Sequence, residues 1–273
     1  ARGGGDEGVL RALLAGFPDR LARRRAPGDR RAVLVTGRGI RLADESTVAD
    51  PELLVCVDLD ARGGGDALRR AASGVRRAWL PEDRVTTSVD VAFDDAARRV
   101  VAFRRTRFDE LVLDESPAAL PDDGRAAELL AEAAARDLPR ALALDDPDLL
   151  QFRARVACLA AWRPELGLPS FDDDALRALL PDLARGRRSF DELRRAPLLD
   201  HLRGALTWEQ AQALDREAPE RIEVPSGSRV RLVYEPGRPP VLAVRIQEVF
   251  GLRETPRVAA GRVKVLLHLL APN

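Results

Sequence analysis

Few residues in this sequence are equipped for covalent chemistry. His201 and His268 are its only histidines and Cys56 and Cys158 its only cysteines. All four stand apart, whereas a zinc site wants several such ligands at short spacing. His201 adjoins Asp200, but neighbouring positions of a helix point in different directions, and no serine or cysteine occupies a nucleophile motif. The single lysine sits in Gly261-Arg262-Val263-Lys264-Val265. A phosphate-binding loop needs glycines before that lysine and a hydroxyl after it. The glycine runs 3–5 and 63–65 read as flexible joints. Asp172-Asp173-Asp174 offers carboxylates for a divalent cation or, alternatively, a helix cap with two more acids against the helix dipole. The apolar stripe starting at Ala175-Leu176 favours the cap.

What remains is arginine. Of 44 basic residues every one except Lys264 is an arginine, the side chain suited to bidentate phosphate contacts. Arg38 stands between Gly37 and Gly39, with Arg41 two residues on; Arg229 and Arg231 alternate with Val230 and Leu232, and Arg262 follows Gly261. Cations on alternate strand positions leave one face apolar and the other charged, a surface able to meet a polyanion. Aromatic residues make up only 4% of the chain, so contacts to a nucleic-acid backbone are expected rather than base reading. The plainer reading is that arginine is simply this protein's surface cation. The formal net charge of zero also hides a division, because basic ends flank an acidic middle over residues 109–196.

Hydrophobic periodicity predicts the elements that would hold these residues. A helix kinked at Pro18 is expected over 9–25, and Arg23-Arg24-Arg25 in its last turn would either face the negative end of its dipole or touch phosphate. Short strands are expected at 32–35, 39–42, 53–60 and 67–72, a helical turn at 75–80, and a hairpin of 84–93 with 98–108. Residues 115–121 read as a linker. Helices follow at 122–136, 147–162, 172–185, 190–195 and 197–218. The hairpin 221–224 with 229–234, an amphipathic helix bearing Leu242, Ile246, Val249 and Phe250, and strands at 257–259 and 263–270 complete the chain. His268, among leucines on the last strand, is expected to be half-buried. The fold class is α+β: a helical lead-in (1–30), an OB-like small β-barrel (31–115), a helical middle domain (116–218) and a small C-terminal α+β domain (219–273). No apolar run approaches the roughly 18–20 residues that span a bilayer, and the two isolated cysteines suit a reducing cytoplasm. A first residue other than methionine, and an end directly after an apolar strand, suggest a piece of a longer chain truncated at its C-terminus.

The string from Val224-Pro225-Ser226-Gly227-Ser228-Arg229 through Leu242-Ala243-Val244-Arg245-Ile246-Gln247-Glu248-Val249-Phe250-Gly251-Leu252 to Glu254-Thr255-Pro256-Arg257 closely resembles the C-terminal region of HrpB-type ATP-dependent RNA helicases, relatives of the DEAH-box enzymes. Residues 17–22, the Gly37-Arg38-Gly39 triplet and residues 53–60 look like the same family's OB region, so the likeness covers nearly the whole chain. The family's two RecA-like motor domains have no counterpart here. The resemblance implies an accessory region that guides single-stranded RNA, with DNA as the alternative, for that motor. It implies a partner in the motor domains of the same parent, no cofactor in this region, and ATP with magnesium for the parent. Gly37, Arg38, Gly39, Ser226, Gly227, Ser228 and Arg229 are the nucleic-acid contacts it suggests, with Arg245 and Arg257 in addition, and the strand pattern adds Arg41; the same strings would equally serve as structural turns. The rival expectation is a protein-interaction module that docks on the motor or another protein. A free-standing hydrolase is disfavoured for want of a triad, metal cluster or acid pair.

Overall fold

The computed structural model describes residues 3–43, 50–57, 67–69 and 72–271, and the chain divides into two compact units. The first comprises residues 1–92 and 101–120. Helix α1 (Gly3–Gly16) ends ahead of Pro18, where a single 3-10 turn leads directly into strand β1 (Leu21–Arg24). The helix expected to reach residue 25 is therefore cut short. Proline withholds its N–H and crowds the preceding turn, and Leu21 and Ala22, both fully buried, serve the sheet instead. Strands β2 (Arg31–Leu34), β3 (Gly39–Leu42), β4 (Leu53–Cys56), β5 (Ala67–Arg69) and β6 (Ala72–Val75) join β1 in the order β5-β3-β2-β1-β4-β6. All neighbours are antiparallel except the β3–β5 pair.

Alternation sends these residues to two cores. Ala22, Ala32, Leu34, Ile40, Leu42, Leu54 and Cys56 pack with one another, a cluster drawn from the sheet alone, as expected where a sheet curls over its own face. Leu21, Leu53, Val55 and Val75 pack the other way, with Leu14 of α1 and with Phe108, Leu111 and Leu113. Among the described residues no ladder joins the edge strands β5 and β6. The closed OB-like barrel is accordingly corrected to an open, curled six-stranded sheet. A three-stranded meander follows, of β7 (Val85–Asp94), β8 (Arg99–Phe108) and β9 (Leu111–Pro117). Strand β9 occupies part of the stretch read as linker. Its Leu111 and Leu113 supply the alternate apolar residues that core needs.

The second unit comprises residues 93–100 and 121–273. Its helices are α2 (Arg125–Arg136), α3 (Leu138–Ala141), α4 (Pro147–Trp162), α5 (Asp173–Ala184), α6 (Phe190–Arg194), α7 (Leu198–Gly204) and α8 (Trp208–Glu217). Asp146 caps α4, accepting from the N–H groups of Asp148 and Leu149 at 2.9 Å. Asp172 caps α5 in the same way, accepting from Ala175 N–H at 2.9 Å. That N–H, then Ser170, hold its carboxyl below the usual range, so the acidic triplet begins a helix. The single helix expected over 197–218 is two, because Thr207 and Gln210 form a reciprocal capping box that restarts the chain at α8.

Strands β10 (Arg221–Glu223), β11 (Arg229–Val233), β12 (Val241–Arg245) and β15 (Leu266–Leu270) form a sheet in that order. Strands β13 (Arg257–Val258) and β14 (Val263–Lys264) pair separately. The amphipathic helix expected around residue 242 is instead β12 followed by one 3-10 turn over Ile246–Val249. Leu242 and Val244 are buried while Ala243 and Arg245 are exposed, a period of two that the apolar residues alone did not distinguish from a helical one.

Candidate nucleic-acid interface

Several arginines of the first unit tie its own segments together. Arg77 reaches Glu52 at 2.9 Å and also Asp114, Arg84 binds Asp109, and Arg105 and Arg107 share Asp90. The Arg107 and Arg105 guanidiniums hold the Asp90 carboxyl far below the usual range. The triplet Arg23-Arg24-Arg25 lies at β1 rather than in a helical turn. Arg23 meets Glu52 at 2.9 Å, and Arg24, buried, donates to the Pro51 carbonyl at 2.8 Å.

The β2–β3 turn differs. Gly37 has φ +78°, a conformation that costs an L-residue, and its N–H donates to the Leu34 carbonyl at 2.8 Å while Leu34 N–H donates to Arg38 at 2.9 Å. This presents Arg38 on an exposed tip, where it retains an interaction within the chain. Gly39 opens β3, and two residues on Arg41 is exposed directly across from Arg31. Two cations in opposed positions repel. Asp29 neutralises Arg31, at 3.1 Å, and its own carboxyl is held low by the Arg31 N–H and guanidinium.

In the second unit the Pro225–Ser228 turn closes the β10–β11 hairpin. Val224 N–H donates to the Ser228 carbonyl at 3.0 Å, Gly227 N–H to Val224 at 2.8 Å and Ser226 N–H to Glu248 at 3.2 Å. Gly227 has φ +84°, and the Ser226 and Ser228 hydroxyls lie 3.1 Å apart. Both serines thus have a structural role, with exposed hydroxyls. Beyond the turn, Leu232 is buried while Arg229, Arg231 and Val233 face out. Val233 pairs with Val241, so this face continues through Ala243 and Arg245 of β12 and, by the parallel register, to His268 opposite Ala243 and Leu270 opposite Arg245. Arg231 is held by Asp148 at 2.8 Å. The guanidiniums of Arg229 and Arg245 are exposed with no carboxylate partner among the described residues.

The expected residues therefore do not form one constellation. Arg229 and Arg245 share an outward sheet face. Arg257 belongs to the separate β13–β14 ladder, opposite Lys264, and donates to the Gly261 carbonyl at 3.0 Å. Gly37, Arg38, Gly39 and Arg41 belong to the other unit. Arg262 is a tie, bound to the Trp162 carbonyl at 3.1 Å and to Glu165 at 2.8 Å. His268 is exposed rather than half-buried, because among the described residues β15 has a neighbour on one edge only; together with Arg221, opposite Arg231, it enlarges the polar face in a way that pairing register alone reveals. No group of histidines, cysteines and carboxylates able to hold a metal occurs among the described residues. Both cysteines are buried and unbonded to each other, and burial pushes the Cys158 thiol up to about 11. None of the described helices is long and apolar enough to cross a membrane.

Residues 179–273 match the family model for the ATP-dependent helicase C-terminal region, HrpB_C. The chain is 35% identical over 282 aligned positions to the ATP-dependent RNA helicase HrpB of Escherichia coli strain K12, an alignment that takes in 99% of this chain and 34% of that protein. It is also similar to the crystal structure of the E. coli DExH-box NTPase HrpB, at 32% identity and a TM-score of 0.55, covering 97% of this chain and 33% of that one. A second crystal structure, of the E. coli DEAH/RHA helicase HrpB, gives 32% identity and a TM-score of 0.53 over 96% and 34%. The chain thus spans about a third of the length of the curated relative it matches. By sequence and by fold together, it belongs with the C-terminal region of the HrpB-type ATP-dependent helicases.

Proposed function

We propose that this chain is an accessory region of an ATP-dependent RNA helicase that holds single-stranded nucleic acid by its phosphates while a motor hydrolyses ATP with magnesium. One observation carries the reading. On the outward face of β11 and β12, Arg229 and Arg245 are exposed cations without carboxylate partners, whereas arginines elsewhere in the chain are repeatedly tied to Asp or Glu. An exposed guanidinium free of a carboxylate can neutralise a phosphate without first breaking an ion pair, and the counterions released make such binding salt-dependent. Arg38 and Arg41 extend the reading to the other unit, and DNA of the same backbone charge is a second substrate.

The test is titration of a fluorescent single-stranded RNA at several salt concentrations. Binding should weaken steeply with salt, and Arg229→Ala and Arg245→Ala should each flatten the slope of log K against log salt by about 0.7. Binding that is absent, or indifferent to salt, refutes the reading. A second reading, docking on the motor domains of the same parent, is favoured by the exposed Leu266, Leu269 and Leu270 of β15, a strand paired on one side only among the described residues.

A further inference from the structure

Beside the outward sheet face, where Arg221 and Arg231 meet the helices, α4, α7, β10 and β11 enclose a polar cleft of about 300 Å³. Its wall carries Arg155, Arg203, Arg221 and Arg231 against Asp148 and Glu220. The four cations are held differently. Arg155 is buried, its Nε donating to the Ala218 carbonyl at 2.8 Å and its terminal nitrogens to Glu220 at 2.7 Å and Asp215 at 3.2 Å. Both of those carboxylates lie toward solvent, 57% and 82% exposed. Water screens the acids more than it screens the guanidinium, which leaves positive potential on the inner wall. Arg231 is occupied by Asp148.

Arg203 and Arg221 are far less engaged. The nearest carboxylate to Arg203 is Asp200, one turn back at 3.9 Å, and its guanidinium lies 5.9 Å from the centre of the Phe152 ring. Arg221 donates to the Arg229 carbonyl at 3.2 Å and has no ion pair among the described residues. Four guanidiniums gathered in one concavity repel one another, and an oxyanion that accepts from several at once relieves the repulsion. A second chamber of about 400 Å³ shares Phe152, Arg155, Arg203 and Glu220 and adds Leu206, Ala211, Leu214 and Asp215, the last already bound to Arg155, leaving room beyond the anion for whatever carries it.

We propose that this cleft is a phosphate-binding site, with Arg203 and Arg221 as the direct donors, Arg155 as a fixed positive wall, and the group supplied by a polynucleotide backbone or by a free phosphate. The polynucleotide source rests on the function proposed above. Two titrations of the full chain separate the sources: a fluorescent twelve-nucleotide single-stranded RNA followed by anisotropy, and inorganic phosphate followed by calorimetry. Both are repeated with Arg203→Ala, Arg221→Ala, the double variant and, for the outward face, Arg229→Ala, and folding is checked by circular dichroism.

The double variant is expected to lose at least about tenfold in RNA affinity and to flatten the salt slope by about 1.4. Loss of phosphate binding in that variant, with RNA binding intact, assigns the site to a free phosphate. If the double variant binds both ligands as the parent does, or if the parent binds neither, the cleft is not a phosphate site. Should Arg229→Ala still weaken RNA binding in the first of those cases, the outward face stands and only the cleft falls.

Discussion

Replacing Arg155 with leucine tests how the second unit is held together. The side chain is 4% exposed and crosses from α4 to the segment joining α8 and β10, where it satisfies the carbonyl of the fully buried Ala218. Arg155→Leu fills much of the same space but leaves that carbonyl without its donor, a loss of about 1–3 kcal/mol. The bonds to Asp215 and Glu220 add at most about 1 kcal/mol together, since both carboxylates are largely exposed and return to water. Against this, the variant no longer buries a guanidinium, a relief that can make apolar replacements neutral or even stabilising. The balance is a loss of about 1–2 kcal/mol, or a fall in Tm of roughly 2–8 °C for a unit of this size. Thermal unfolding followed at 222 nm is a suitable assay, because every described α-helix except α1 lies in the second unit. Asp215→Asn and Glu220→Gln should each move the midpoint far less. A leucine variant as stable as the parent would show that the arginine is there for its charge in the cleft and that the Ala218 carbonyl finds another donor.

Two further outcomes follow from the geometry. The Glu165 carboxyl, held down to about 2 by its own backbone N–H, then by Arg163 and Arg262, contributes stability that is complete above its ordinary value of 4.5 and is lost as pH falls through about 2; in Arg262→Ala its NMR titration midpoint should rise part of the way back, because Arg163 remains, and an unchanged midpoint would refute the Arg262 contact. Gly227→Ala meets no atom within 4 Å yet must hold φ +84°, so it should cost about 1–2 kcal/mol in a urea titration with an unchanged slope, and a neutral result would mean the turn relaxes to another form.

How much was legible in the sequence depended on whether the signal was local. Helix α4 was readable to the residue, since Asp146 and Pro147 mark its start. The β10–β11 hairpin followed from the alternation of Arg229 to Leu232 and the turn before it. Misreadings arose where two periods fit the same residues. Leu242 and Ile246 suit a helical stripe as readily as strand and turn, and Pro239-Pro240 did not decide between them. Strand β9 was missed because Pro117 reads as linker, although proline is compatible with the end of a strand. Closure of the first sheet lay beyond local reasoning altogether, for it depends on whether β5 and β6 meet, not on the pattern of either strand. At the candidate site the exposed turns were visible as Gly37-Arg38-Gly39 and Pro225–Ser228, but which arginines are already neutralised was not. Asp148 lies 83 positions from Arg231 and Glu165 lies 97 from Arg262.

That pairing separates the arginines by role. A residue such as Arg77, gripping Glu52 and Asp114, can meet a phosphate only after surrendering bonds already made, and the exchange gains little. Arg229 and Arg245 surrender none. The zero net charge of the chain therefore says little about its affinity for a polyanion. Pairing cancels charge locally, and whatever field remains belongs to the cations that the fold leaves without acids. In the second unit they include Arg229 and Arg245 on the outward face of β11 and β12 and Arg221 in the cleft, where Arg203 has only Asp200 at 3.9 Å. Because Arg221 pairs with Arg231 and so shares the side of the hairpin that Arg229 occupies, with Arg221 donating to the Arg229 carbonyl, the two groups would let a single strand be gripped at more than one phosphate while its bases stay unread.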